Sequence, residues 1–143
     1  MIDALDPIEA VRAHPGWFFG SGRFEPDTAC DLLRREAESS PAVTEVNVEA
    51  YESGWFAVFA DGDWLDGDLG PFTALTFFPE GGINSTRVEI VLTAFCTDVL
   101  TATGGMIEMC SAGLLAEPEA LPAEISDLLL ADPALGRVVV FRQ

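Results

Sequence analysis

Few residues in this chain are of a type and spacing that do chemistry. His14 is the sole histidine and sits beside Pro15, far from any Ser or Cys motif, so a catalytic triad or a zinc centre has little to build on. Cys30, Cys96 and Cys110 are odd in number and lack paired metal spacing. They read as buried thiols of a reducing compartment. Gly20-Ser21-Gly22 is too short for a phosphate loop. Asp61, Asp63, Asp66 and Asp68 alternate as calcium ligands do. No carboxylate follows at the twelfth loop position, and Leu65, Leu69 and Pro71 interrupt the pattern, so the default is a solvated acidic turn. Trp64 stands between two of these Asp residues. It is either an exposed anchor of the kind favoured at interface hot spots or a ring folded back on the core. Trp17, Phe18, Phe19, Trp55, Phe56 and Phe59 read as core before they read as a pocket lining.

The elements that must position these groups follow from periodicity. Asp6-Pro7-Ile8-Glu9 opens a short helix that ends before Pro15-Gly16. Glu25-Pro26 opens a second, to about Ser39, with Ala29, Leu32 and Leu33 on its apolar face. Val43 to Tyr51 alternates as a half-buried strand, Glu52-Ser53-Gly54 is a turn, and Trp55 to Ala60 completes an antiparallel hairpin. Asp61 to Pro71 is a loop, Thr73 to Phe78 a strand or a packed lid segment, and Pro79 to Asn84 another loop. Thr86 and Glu89 suggest a capping box for a helix over about Arg87 to Leu100, with Thr101 to Gly105 breaking it. Met106 to Leu115 suggests an apolar helix, Pro122 to Leu130 a short one, and Val138 to Phe141 a closing strand. The order predicts one α+β domain, a two-layer sandwich with helices on one face of the sheet.

Composition bounds the function. The chain has 143 residues and a net charge of −17, from 24 acidic residues against 7 basic ones, all Arg. The hydrophobic fraction of 49% argues for a packed core and against disorder. Acidity disfavours direct binding to a phosphate backbone. No run approaches a membrane span, and Met1 to Ala10 holds Asp3, Asp6 and Glu9 without a basic residue, so no secretory signal is expected and the protein is read as cytoplasmic.

One segment says more. Glu9-Ala10-Val11-Arg12-Ala13-His14-Pro15-Gly16-Trp17-Phe18-Phe19-Gly20-Ser21 resembles the E-A-V-R-x-R-P-G-M-Y-I-G-S opening of the ATPase domain of the DNA gyrase B subunit, a GHKL-group family. In the same order, Glu45 to Leu65 resembles that family's first hairpin and nucleotide loop, and Val88-Glu89-Ile90-Val91-Leu92-Thr93 its V-E-V-I-L-T helix start. Gly104-Gly105 falls where its ATP lid begins, and Gly136 to Phe141 resembles a later strand. The resemblance implies a Bergerat fold, a mixed sheet with helices on one face. It also implies a vestigial nucleotide site at Asp61, Gly62, Asp66, Gly70, Gly104 and Gly105.

The family's chemistry does not carry over with it. Its water-activating Glu and magnesium-binding Asn fall at Ala29 and Leu33, and that helix has no Asn. Asp31, Glu36 and Glu38 are the stand-in bases, each without a neighbouring metal ligand. Hydrolysis without the cation leaves the phosphate charge uncompensated. The adenine loop D-x-G-x-G is absent as a string, and Asp63 and Asp68 would repel a triphosphate. The lid keeps only Thr103-Gly104-Gly105, and the family's phosphate-contacting Lys has no counterpart. The resemblance therefore implies a pseudo-ATPase, with no catalytic residue, metal or cofactor assigned. It would act through a protein partner or a vestigial pocket, and homodimer formation is compatible with it. The alternative is an acidic mimic of DNA that blocks a DNA-binding protein. A third reading is a divergent protein that still binds ATP and magnesium.

Overall fold

A computed structural model describes residues 7–73, 87–103, 106–112, 121–130 and 136–143. Helix α1 spans Pro7–Ala13 and α2 Pro26–Glu38. Strands β1 (Val46–Ala50) and β2 (Trp55–Ala60) form the central hairpin. Helix α3 (Glu89–Phe95) is followed by strands β3 (Asp98–Thr103) and β4 (Met106–Ala112), then helix α4 (Ala123–Leu129) and strand β5 (Arg137–Arg142).

The strands make one sheet in the order β1-β2-β5-β3-β4, and every pairing is antiparallel. Strand β5 holds the centre, because Val138, Val139, Val140 and Phe141 are apolar on both faces and a strand covered on both sides needs that. Alternation assigns the faces. Val58, Ala60, Val99, Val139 and Phe141 pack with α1, α2 and α3 in the larger core. Trp55, Ala57, Leu100, Val138 and Val140 pack on the opposite side with Leu121, Ile125 and Leu129. The α+β class is as expected. The expected covering of one face only is corrected, since α4 lies on the second face and buries Trp55 there.

Helix α2 begins with Pro26 at its first position and Asp27 in its first turn, where fixed φ and negative charge both favour a helix start. Its outer face carries Arg34 on Asp31 and on Glu38, the latter at 2.8 Å, and Arg35 on Asp31 at 2.9 Å. Helix α1 is tied to α3 by the Arg12 guanidinium, whose Nε donates to the Ala94 carbonyl at 2.8 Å. Such a bond satisfies a carbonyl at a helix C-terminus that has no partner within the helix.

The region after residue 86 departs from expectation. The helix expected over Arg87 to Leu100 ends at Phe95, where Cys96 turns extended, and Asp98–Thr103 is a strand. Val99 satisfies both a helical and a strand pattern, and the β-branched Thr101 and Thr103 favour the strand. The helix expected from Met106 is instead β4, paired with β3 from Thr103↔Met106 onward. Two strands separated by Gly-Gly are a hairpin signal, and that signal outweighs the apolar run. The capping box also fails. Val88 is the N-cap of α3, with no side-chain cap of its own, and Thr86 lies outside the described residues. So do Ala74 to Phe78, most of the segment expected as strand or lid, and the loop from Pro79 to Asn84. Among the described residues, no helix is long and apolar enough to cross a membrane.

Candidate functional site

The loop after β2 is built almost entirely from its own carboxylates. Asp61 ends the strand and accepts from the Thr44 N–H at 2.9 Å, the Glu45 N–H at 3.2 Å and the Thr44 hydroxyl. These bonds, the Thr44 side chain first, hold its carboxyl below the usual range. Gly62 follows, and a Cβ there would lie 1.8 Å from the Ala42 carbonyl oxygen. Gly136 meets Gly62 in turn, with a Cβ placed 2.4 Å from the Gly62 Cα. The glycines are where two backbones cross, which is a packing demand rather than a ligand contact.

Asp63 is the anchor of the loop. Its two oxygens accept from Arg137 Nε and Nη2, each at 2.8 Å, and from the Leu65 and Gly67 N–H groups at 3.0 and 2.8 Å. Burial alone raises the Asp63 pKa, but the guanidinium and the loop N–H groups outweigh it and hold the carboxyl below the ordinary value. Arg137 is buried, and its Nη1 also donates to the Thr101 hydroxyl at 3.1 Å. Asp66 and Gly67 take positive φ, 52° and 76°, which turns the chain back toward the core. Asp68 accepts from the Gly70 N–H at 2.8 Å, starting a one-turn 3-10 segment over Gly70–Phe72. Three of the four Asp carboxylates are thus spent inside the fold, and Asp66 contributes a turn of the backbone. Among the described residues, no cluster of three metal-ligating side chains forms.

Trp64 is 3% exposed, so of the two readings of this ring the folded-back one holds and the exposed anchor is corrected. Its Nε1–H donates to Glu89 Oε2 at 3.0 Å, because a buried indole needs a partner for its only polar atom. Glu89, at 0% exposure, lies against Glu36, at 2%. Glu36 Oε1 accepts from the Val88 N–H at 2.8 Å, so a carboxyl from α2 caps the start of α3. Arg87 Nη1 lies 3.4 Å from Glu36 Oε2 and donates to the Trp64 carbonyl at 3.2 Å.

Two buried acids this close cannot both be ionised. Burial first, then the hydrogen bond and the charge of Glu89, push Glu36 up to about 10, against the smaller pull of the Val88 N–H and Arg87. Glu36 is therefore protonated at neutral pH. Glu89 Oε1 has no hydrogen-bond donor among the described residues, and a proton held on Glu36 gives the pair one.

Beside this cluster lies a cavity of about 270 Å³ lined by Ser40, Pro41, Ala42, Asp63, Trp64, Asp66 and Arg87. It occupies the space between the end of α2 and the acidic loop, where the resemblance would put a nucleotide. Its volume falls below the roughly 300–1,000 Å³ of drug-sized ligand sites. Of the residues expected to form a vestigial site, Asp66 lines this space; Asp61 and Gly62 are held by the 42–45 segment, and Gly70 starts the 3-10 turn. Gly104 and Gly105 lie outside the described residues, between two paired strands. Ala29 and Leu33, where the resemblance would put the catalytic and magnesium-binding residues, are fully buried in the core. Of the stand-in bases, Asp31 and Glu38 are tied to arginines on the outer face of α2, and Glu36 is sealed against Glu89.

Sequence reasoning missed the Glu36–Glu89 pair and the Asp63–Arg137 bridge. One signal was available: Glu36 follows Ala29 and Leu33 at helical spacing, which puts a carboxyl on the apolar face of α2. Comparison with family models, curated proteins and solved structures returned no match to this chain.

Proposed function

We propose that this protein is a non-catalytic binding protein that works through a protein partner. The observation that supports this most is the internal use of the loop carboxylates. Asp61 binds Thr44 and Glu45, Asp63 binds Arg137, and Asp68 binds the backbone of its own turn. A group already satisfied by the fold is a poor metal ligand or general base, since recruiting it breaks the bonds that hold the loop. The resemblance to the gyrase B ATPase domain then concerns ancestry, with ATP hydrolysis given up. The free, buried thiols of Cys30 and Cys96 suit a cytoplasmic setting.

The test is calorimetric titration with ATP and magnesium, paired with a phosphate-release assay. Neither heat of binding nor turnover above background is expected. Turnover that disappears in Asp61→Ala or Asp66→Ala would overturn the reading and restore a divergent ATPase.

A further inference from the structure

Among the described residues, strand β1 is an open edge of the sheet. The bonds Tyr51 N–H to Trp55 carbonyl and Asp61 N–H to Glu45 carbonyl fix the phase of the β1–β2 ladder. In that phase Glu45, Asn47, Glu49 and Tyr51 turn their backbone groups toward β2. Val46, Val48 and Ala50 turn theirs outward, and no strand among the described residues pairs with them. Asn47, Val48, Glu49 and Ala50 are all exposed, Val48 by 40% although it is apolar. Beside this edge runs a groove of about 210 Å³ between α2 and β1, with Cys30, Val48, Ala50 and Phe56 as its apolar lining and Asp27, Asp31 and Arg34 on its walls.

The charges around the edge select what can pair with it. Arg34 is held by Asp31 and Glu38. Asp27 on the groove and Glu49 on the opposite face of β1 leave both sides of an added strand facing carboxylates. A second copy would bring a further −17 to the same edge, which disfavours self-pairing. A basic strand gains on every count: backbone bonds to Val46, Val48 and Ala50, alternate apolar side chains over the groove, and Arg or Lys beside Glu49.

We propose that the β1 edge and its groove accept an extended, basic segment of a partner protein as an added sixth strand. This rests on the reading of the molecule as a protein-binding module, and names the surface and the chemistry of the partner.

The probe is a synthetic octapeptide alternating Arg and Val, with a Glu-Val octapeptide as control. Affinity is read by fluorescence anisotropy and location by amide shifts and hydrogen exchange. Val48→Pro removes an outward N–H without removing a β1–β2 bond, and an edge strand tolerates proline there. It is expected to weaken the Arg-Val peptide about tenfold or more. Glu49→Gln, which leaves the backbone untouched and removes the carboxylate that faces the peptide's Arg side chains, is expected to weaken it severalfold. Slowed exchange confined to Val46, Val48 and Ala50 supports the proposal. Binding that is unchanged in Val48→Pro and perturbs acidic positions all round the surface overturns it. So does equal binding of the Glu-Val peptide, no binding of either peptide, or a concentration-dependent dimer through β1 that the Arg-Val peptide does not dissociate. ATP turnover is scored separately, so loss of edge binding without turnover sinks this surface alone and leaves the non-catalytic reading in place.

Discussion

Replacing Glu36 by Gln converts a protonated acid into its uncharged isostere. The Gln carbonyl still accepts from the Val88 N–H and its amide still donates to Glu89, so the only contact around α3 that is given up is the long one of 3.4 Å from Arg87 Nη1. What changes is the proton balance of folding. In the native state Glu36 is pushed up to about 10, against an ordinary value of 4.5. Between those values the folded chain holds one proton that the unfolded chain has released. Stability linked to a raised acid is complete at low pH and falls as pH rises, opposite in sign to a salt-bridged carboxylate. One proton gives a slope approaching about 1.4 kcal/mol per pH unit, or about 3 kcal/mol between pH 6 and pH 8.

The other groups with shifted values do not change charge in that window. Asp31, Asp61 and Asp63 are lowered by their partners and stay ionised throughout, and the Cys30 and Cys96 thiols are pushed up to about 12. Urea unfolding followed by tryptophan fluorescence at pH 6, 7 and 8 reads the slope directly, with Trp64 reporting from beside the pair. The native protein is expected to lose stability by about 3 kcal/mol across the series, and Glu36→Gln to lose little. A flat native profile, or the same slope in Glu36→Gln, would refute the shared-proton account.

Other expected outcomes follow from the same cluster. Gly62→Ala places a Cβ 1.8 Å from the Ala42 carbonyl oxygen, so the backbones must part; a loss of more than about 2 kcal/mol in urea unfolding is expected. Asp63→Ala strands the buried Arg137 guanidinium and is expected to cost about 3–5 kcal/mol, with Asp63→Ala/Arg137→Met recovering part of it. In a Cys110→Ser background, Cys30 and Cys96, raised mainly by burial, are expected to react with a thiol reagent at pH 8 only after denaturant is added; fast labelling in the native state would contradict their placement in the core.

Local patterns carried much of the fold. Pro26 and the spacing of Ala29 and Leu33 set α2, and the Glu52-Ser53-Gly54 turn set the β1–β2 hairpin, where Gly54 takes a φ of 90°. Patterns failed where two periods coincide. Val88, Val91, Leu92, Phe95 and Val99 fit one helix, yet the helix stops at Phe95 and Val99 belongs to a strand between two others. Gly104-Gly105 is legible as a break, but a Gly pair ends a helix as readily as it joins two strands, and here strands lie on both sides of it. At the site, the acidic turn was legible and its partners were not. Asp63 meets Arg137 across 74 positions, and Trp64 meets Glu89 across 25. No periodicity reaches that far. The buried acids are harder still, because charge in a sequence reads as surface until tertiary packing takes the water away.

The position of β5 also sets a schedule for synthesis. The β1–β2 hairpin and the β3–β4 hairpin share no strand pairing until β5 enters between them. From Ala60 to Arg137 the ribosome must add 77 residues. At roughly 5–20 residues per second, the inner edge of β2 waits about 4–15 s for its neighbour. During that interval Trp-Phe-Ala-Val-Phe-Ala, a six-residue uncharged strand, has one unpaired side. Until its own central strand arrives, the nascent chain therefore carries an apolar strand edge open to pairing with other chains.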